Sequence, residues 1–293
     1  MSGTIATVLG AGTMGHGIAQ VLAQGGFEVR LADLDPERVA AGLGHVRQNL
    51  EGAVKRGKLA ADELERTLER IAGSSDPTAA VAGATLVIEA IPEDLALKKR
   101  VLAAAAAANP GLRLIGTNTS SLPVTEIAQA TGMPERVVGL HFFNPVHVSK
   151  LVEVVLGERT SEDTRAYALE VVESIQKTPI VVQDAPGFAS SRLGLVIGLE
   201  AMRMVETGVA GVEDIDRAME LGYRHPMGPL KTGDYVGLDV RLAIAEHLHA
   251  EVGEAFRPPL LLRRLVRAGK LGRKSGEGFY RWSESGECLG PAL

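Results

Sequence analysis

The sequence predicts an α/β protein in two parts: a largely parallel, doubly wound sheet over residues 1–184, then an all-α second domain over 185–293. Three observations carry that expectation. Short β-prone apolar runs alternate with helical patterns through the first part, as crossovers between parallel strands require. A glycine-rich turn, Gly10-Ala-Gly12-Thr-Met-Gly15, stands between the first such run and the first helical pattern. After Asp184 the residues APGF punctuate the chain, and strand-like runs give way to helical ones.

The elements follow in order. TIATVLG (4–10) reads as a buried strand and TMGHGIAQVLAQGG as a helix ended by Gly25 and Gly26. EVRLAD is a second strand, a long helical pattern runs from Asp35-Pro36 to about Gly57, and DELERTLERI (62–71) is another helix. ATLVIEAI is a strand, and EDLALKKRVLAAAAAA is a helix stopped by Asn109-Pro110-Gly111. RLIGTNTS, VVGLHFF, KLVEVVL and PIVVQD complete the strands. Beyond residue 186, GLVIGLEAMRMVETG, VEDIDRAMEL and VRLAIAEHLHAEVG are helical until GEGFYRW. Stripes this apolar predict a partner surface as well as a small core.

Composition narrows the class. The 293 residues are 45% hydrophobic and 23% charged, the balance of a globular protein with a sizeable core. A net charge of −5 gives no reason to expect nucleic acid or a membrane as partner. The lone Cys288 excludes an intramolecular disulfide and fits a reducing compartment. The opening MSGTIATVLGAG has no basic segment leading into an apolar one, and no uncharged run approaches membrane-spanning length, so a cytoplasmic protein is expected. No metal site is expected.

The glycine turn has a mechanical reading. Gly10 permits the tight turn, Gly12 lets backbone approach a pyrophosphate, and Gly15 allows close helix–strand packing, while the helix N-terminus offers free N–H groups to phosphate. Asp33, at the end of the second strand, is placed to accept hydrogen bonds from a ribose 2′-hydroxyl and to repel a 2′-phosphate. Leu34 and Asp35 supply no cation. The expected cofactor is NAD, in a Rossmann-type domain, with FAD the lesser rival.

GLHFFNPVHVSKLVEVV (139–155) puts a histidine at the end of one strand-like run and a carboxylate inside the next. Glu153 lies among Leu151, Val152, Val154 and Val155, where an unpaired carboxylate is costly. If the two strands are neighbours, Glu153 takes the Nδ1 proton of His141, fixes its tautomer and stabilises the imidazolium: a base and its orienter. His45, His247 and His249 fall in helical patterns and read as surface; His16, His147 and His225 stay unassigned.

Together, VLGAGTMGHGIAQ, VIEAIPEDLALKK, TNTSSL, GLHFFNPV…KLVEVV, DAPGF, HPMGPL and LGRKSGEGFY resemble the 3-hydroxyacyl-CoA dehydrogenase family over nearly the whole chain, nearest its short bacterial 3-hydroxybutyryl-CoA type. The resemblance implies that His141 takes the 3-hydroxyl proton as hydride leaves C3 for the nicotinamide, with Glu153 as its partner. It places Ser120 on the substrate oxygen and, with Gly10, Gly12, Thr13, Met14, Gly15 and Asp33, assigns Glu93, Lys98, Asn118, Ser120 and Asn144 to the cofactor. Read without the motif, Lys98 is a solvated helix charge. Lys55 and Arg56, with Lys58, end the long helix where they can meet the phosphates of an acyl-CoA. The family reads an asparagine in PGF-x-x-N-R; this chain has Ser191, which is shorter and calls for a bridging water. The resemblance also implies a homodimer through the second domain, with substrate held between the domains. Two alternatives stay open: a dehydrogenase of a hydroxy acid not linked to CoA, and a weakly catalytic NAD-binding protein.

Overall fold

β1 (Ile5–Leu9) sits inside an eight-stranded sheet whose order is β3-β2-β1-β4-β5-β6-β7-β8, in a computed structural model that describes residues 3–293. The other strands are β2 (Glu28–Ala32), β3 (Ile71–Ser74), β4 (Leu86–Glu89), β5 (Leu114–Thr117), β6 (Val137–Phe142), β7 (Leu151–Leu156) and β8 (Thr178–Gln183). Every neighbouring pair is parallel except β6 and β7. The chain winds outward from β1 in one direction and restarts beside it with β4, which opens a crevice at the carboxyl ends of these two strands.

Both faces of the sheet are covered, which is why its strands read as nearly continuous apolar runs. Ala6, Val8, Leu86, Ile88, Val138 and Leu140 pack with α1 (Thr13–Gln24) and α7 (Glu162–Ser174). Leu9, Val87, Ile115, Val137 and Val155 pack with α4 (Pro77–Val81), α5 (Leu95–Ala108) and α6 (Val124–Ala130). Two further helices, α2 (Pro36–Lys55) and α3 (Ala61–Glu69), join β2 to β3 and share a small core of Val46, Leu50 and Leu64.

Four of these elements were not anticipated. β3 starts at Ile71, which the sequence reading gave to a helix, and its IAGS is too short to show alternation. α4 and α6 are also short. α7 had a readable start: Ser161 caps it by accepting from Thr164 N–H, and Glu162 and Asp163 fill its first turn.

The chain divides between Phe188 and Ala189, and the second unit, Ala189–Leu293, has its own core of Leu199, Met202, Ile215, Leu230, Leu248 and Phe279. Its helices are α8 (Ser190–Glu206), α9 (Val212–Gly222), α10 (Pro229–Val236), α11 (Leu238–Glu251) and α12 (Leu260–Arg267). It is helical, as expected from sequence, and closes on one short antiparallel pair, β9 (Tyr280–Trp282) and β10 (Cys288–Pro291). The physical reason is Asp234, which accepts from Phe279 and Tyr280 N–H and from Trp282 Nε1–H and so holds the segment extended. Among the described residues no helix is long and apolar enough to cross a membrane.

Candidate active site

The crevice begins at the turn from β1 to α1. Gly10 has φ +103°, a conformation open to glycine, and a Cβ on Gly15 would stand 1.7 Å from the Gly10 carbonyl oxygen. Both positions are therefore closed to larger residues, whereas a Cβ on Gly12 would meet nothing within 4 Å. No side chain caps α1 and its first turn carries no acid, so the N–H groups near Thr13 and Met14 are available to an anion. Asp33 is fixed at the end of β2 by accepting from Ala11 N–H at 3.0 Å. It lines a cavity of about 670 Å³ with Gly10, Ile91, Val101 and two arginines, Arg38 and Arg100. These are the parts a dinucleotide needs: a phosphate turn, a ribose acceptor and an apolar slot for the base.

The alternation of β6 and β7 then places the histidine. Leu140 and Phe142 turn to one face, so His141 turns to the other, and in the antiparallel register it stands directly opposite Glu153. Its Nδ1–H donates to Glu153 Oε2 at 2.6 Å, leaving Nε2 as the reactive nitrogen. Both side chains are buried. The ring lies 4.5 Å from that of Phe143 and 5.9 Å from that of Phe188, centroid to centroid. Phe188 reaches it through two successive left-handed residues, Gly187 at φ +74° and Phe188 at +47°. In the same DAPGF stretch, Asp184 accepts from Val124 and Thr125 N–H and so caps α6.

A second buried network lies at the ends of β4 and β5. Glu89 Oε1 accepts from Lys98 Nζ at 2.6 Å and from Ile91 N–H, while its Oε2 accepts from Thr117 at 2.7 Å. Lys98 also pairs with Glu93 at 3.3 Å. Lys98 is 0% exposed, so it is no solvated helix charge; its ammonium is spent on two carboxylates and the Ile91 carbonyl. Glu93 in turn accepts from the Thr119 hydroxyl, from Ser120 N–H and from the Ser120 hydroxyl at 3.1 Å. Burial pushes the Glu93 carboxyl up, but Lys98, Thr119 and Ser120 together bring it below the ordinary glutamate value. Asn118 accepts from Phe142 N–H at 2.9 Å, which ties this network to the residue after His141.

The sequence matches the description "3-hydroxyacyl-CoA dehydrogenase, NAD binding domain" over residues 5–185 and "3-hydroxyacyl-CoA dehydrogenase, C-terminal domain" over 187–282. The chain belongs to the 3-hydroxyacyl-CoA dehydrogenase family. It is 45% identical over 278 residues to a probable 3-hydroxybutyryl-CoA dehydrogenase of Bacillus subtilis, covering 94% of this chain and 96% of that one. A probable 3-hydroxybutyryl-CoA dehydrogenase of Deinococcus radiodurans is 44% identical, covering 94% and 99%. The crystal structure of (S)-3-hydroxybutyryl-CoA dehydrogenase from Ralstonia eutropha is similar with a TM-score of 0.92 at 38% identity, covering 97% of this chain and 100% of that one. The first unit is thus the NAD-binding domain of a family of NAD-dependent oxidoreductases.

Within that family frame, Gly10, Gly12, Asp33, Glu93, Asn118, Ser120 and His141 gather at the carboxyl ends of β1, β2, β4, β5 and β6. Asn144 follows in the exposed loop after β6, joined to Pro145 by a cis peptide bond. Lys55, Arg56 and Lys58 lie exposed at the end of α2. Ser191 is half-buried in the first turn of α8, in the second unit. Glu89, Thr117, Thr119, Arg38 and Arg100 were not singled out from sequence. Glu89 had a signal, a carboxylate closing the apolar run TLVIE, as Glu153 does in KLVEVV; the arginines look like any helix charge.

Proposed function

We propose that the protein catalyses the reversible NAD-dependent oxidation of a short-chain L-3-hydroxyacyl-CoA, 3-hydroxybutyryl-CoA foremost, to the 3-ketoacyl-CoA. The buried His141–Glu153 pair carries this reading: an imidazole with one nitrogen engaged by a carboxylate and the other free is a general base with its orienter. NAD, when bound, accepts the hydride from C3. His141 Nε2 takes the 3-hydroxyl proton, and Glu153 stabilises the imidazolium that results. Phe143 and Phe188 limit water around the ring, which strengthens the pair's electrostatics. Ser120, oriented by Glu93, supplies a hydroxyl to the substrate oxygen, and Lys98 and Glu89 hold Glu93 in place.

A cytoplasmic homodimer assembled through the helical unit belongs to the same reading. In that unit the large apolar side chains Leu193, Leu221, Tyr223 and Leu260 are 61%, 80%, 75% and 70% exposed, and a partner surface would cover such groups. NADH oxidation with acetoacetyl-CoA, compared directly with free acetoacetate, tests the substrate. Turnover with the thioester well above that with the free acid is expected; the reverse order would refute the CoA assignment.

A further inference from the structure

Three cationic side chains other than His141 are buried among the described residues: Lys98, Lys177 and Arg241. Two of them are satisfied. Lys98 meets Glu89 and Glu93, and Lys177 donates to the carbonyls of Val146 and Ser149. Arg241, only 8% exposed, is not satisfied. It stands within the buried stripe of α11, Leu238, Arg241, Ala245 and Leu248, where the spacing calls for an apolar residue. Its Nε is buried with no hydrogen-bond partner, and among the described residues no ion pair or hydrogen bond reaches its guanidinium. Acids of α8 and α11 are spent elsewhere: Asp239 on Lys274, Glu246 on Arg263, Glu200 on Arg203 and Glu206 on Leu261 N–H. Burial holds the group below the ordinary arginine value, and no nearby charge or hydrogen bond offsets that cost.

The facing helix leaves the guanidinium accessible. A Cβ on Gly194 of α8 would stand 3.9 Å from Arg241 Nη1, and Gly194 itself is exposed. Gly198, one turn on, is buried, yet a Cβ there would meet nothing within 4 Å. Ser191, Gly194 and Gly198 follow one another at helical spacing and form one low stripe of α8. Glycine weakens a helix interior, so two in one stripe need a reason other than helix stability. A channel for a slender ligand supplies that reason, with small residues for its floor and an unpaired guanidinium at its side. A guanidinium buried without a counter-ion costs free energy that an arriving anion recovers.

We propose that Arg241 receives a carboxylate at the far end of the acyl chain, so that among chains longer than that of 3-hydroxybutyryl-CoA the protein prefers thioesters of dicarboxylic acids. The inference rests on the dehydrogenase reading above. A carboxylate fits the site best, since its two oxygens match the planar fork of one guanidinium and its single charge matches the single cation. Ser191, expected from sequence to reach the substrate through a water, starts the stripe, and Gly194 lies about 4.5 Å further along the helix axis. An acyl chain held at Ser191 therefore comes alongside Arg241 after a few methylene groups.

The test follows NADH oxidation with two six-carbon 3-ketoacyl-CoA thioesters, one ending in a carboxylate and one in a methyl group. Both carry the same reacting group and the same CoA. Wild-type protein should favour the carboxylate-ended thioester by about tenfold or more in kcat/KM, the range of a charge-assisted hydrogen bond, and Arg241→Met should reverse the preference. Arg241→Lys, which keeps the charge and loses the fork, should fall between them. Thermal unfolding separates a structural role: removing an unpaired buried charge should leave the Tm of Arg241→Met at or above that of wild type. A fall in Tm with the preference unmoved would make Arg241 structural and overturn the proposal. Equal use of both thioesters by wild type, or preference for the methyl end, overturns it while the dehydrogenase reading stands. A dimer lost in Arg241→Met by sedimentation equilibrium, with the preference unmoved, would give the guanidinium to a carboxylate of a second copy and overturn the acyl source. Wild-type protein that reduces neither thioester, nor acetoacetyl-CoA, fails the dehydrogenase reading and this inference with it.

Discussion

Replacing Glu153 by glutamine keeps the side chain's shape and an oxygen that can accept from His141 Nδ1–H, but removes the negative charge. In the wild type the contact is 2.6 Å, with the carboxylate side chain 0% and the imidazole 9% exposed. So enclosed a pair is poorly screened. With charge centres about 4 Å apart and an effective dielectric of about 20, the Coulomb energy favouring the imidazolium is about 4 kcal/mol. At about 1.4 kcal/mol per tenfold, Glu153→Gln should lower the rate of hydride transfer by about three orders of magnitude. NADH affinity should hold, because the glycine turn and Asp33 stand at β1 and β2, separated by β4 and β5 from the β6–β7 pair that carries His141 and Glu153. The assay is single-turnover reduction of acetoacetyl-CoA followed by NADH absorbance across pH, with His141→Gln as the floor. A rate within tenfold of wild type would refute the electrostatic role of Glu153.

Three further outcomes are expected. Wild-type protein should prefer NADH to NADPH by about a hundredfold or more, and Asp33→Ala should narrow that preference through loss of the ribose acceptor and of its repulsion of a 2′-phosphate; Arg38 at the same cavity is no substitute, being drawn to Asp35 at 3.7 Å, and equal use of both cofactors by the wild type would sink the argument. Sedimentation equilibrium at low micromolar concentration should show a dimer, with a single species of the chain's 30.9 kDa as the refuting result. The third outcome concerns pH. Burial holds the Asp216 carboxyl above the ordinary aspartate value of 3.8, despite three hydrogen bonds to it. Between 3.8 and that raised value the folded chain binds more protons than the unfolded one, so this group's contribution is complete below 3.8 and is lost as pH rises through the raised value. The stability difference between wild type and Asp216→Asn in urea should therefore shrink as pH rises through that window, and a difference that grows would reverse the sign.

The parts of the site legible from sequence were those in which a residue type conflicts with its surroundings. A carboxylate within KLVEVV demands a partner, and β7 provides one by pairing antiparallel with β6 at His141. The glycine turn was legible because Gly10 and Gly15 are required by geometry that no other residue meets. Lys98 was not: LALKKRV gives Lys98 and Lys99 the same apparent status. Only the fold separates them, burying Lys98 on Glu89 while Lys99 pairs with Glu126 in partial exposure.

The motifs that mark the second unit as family-like do different work from those of the first. In HPMGPL, a Cβ on Gly228 would stand 2.2 Å from the Asp216 side chain, so glycine there lets Asp216 of α9 accept from Leu230 and Lys231 N–H at the start of α10. In GEGFY, a Cβ on Gly278 would stand 2.2 Å from Asp234 Oδ1, and glycine there lets Asp234 take the N–H groups of Phe279 and Tyr280. Tyr280 closes the loop by donating its hydroxyl to Asp216 at 2.8 Å. Two buried carboxylates thus lock α9, α10 and β9 together, and loss of either glycine would leave a buried charge short of partners. α8 packs on this frame through Leu195, Leu199 and Met202.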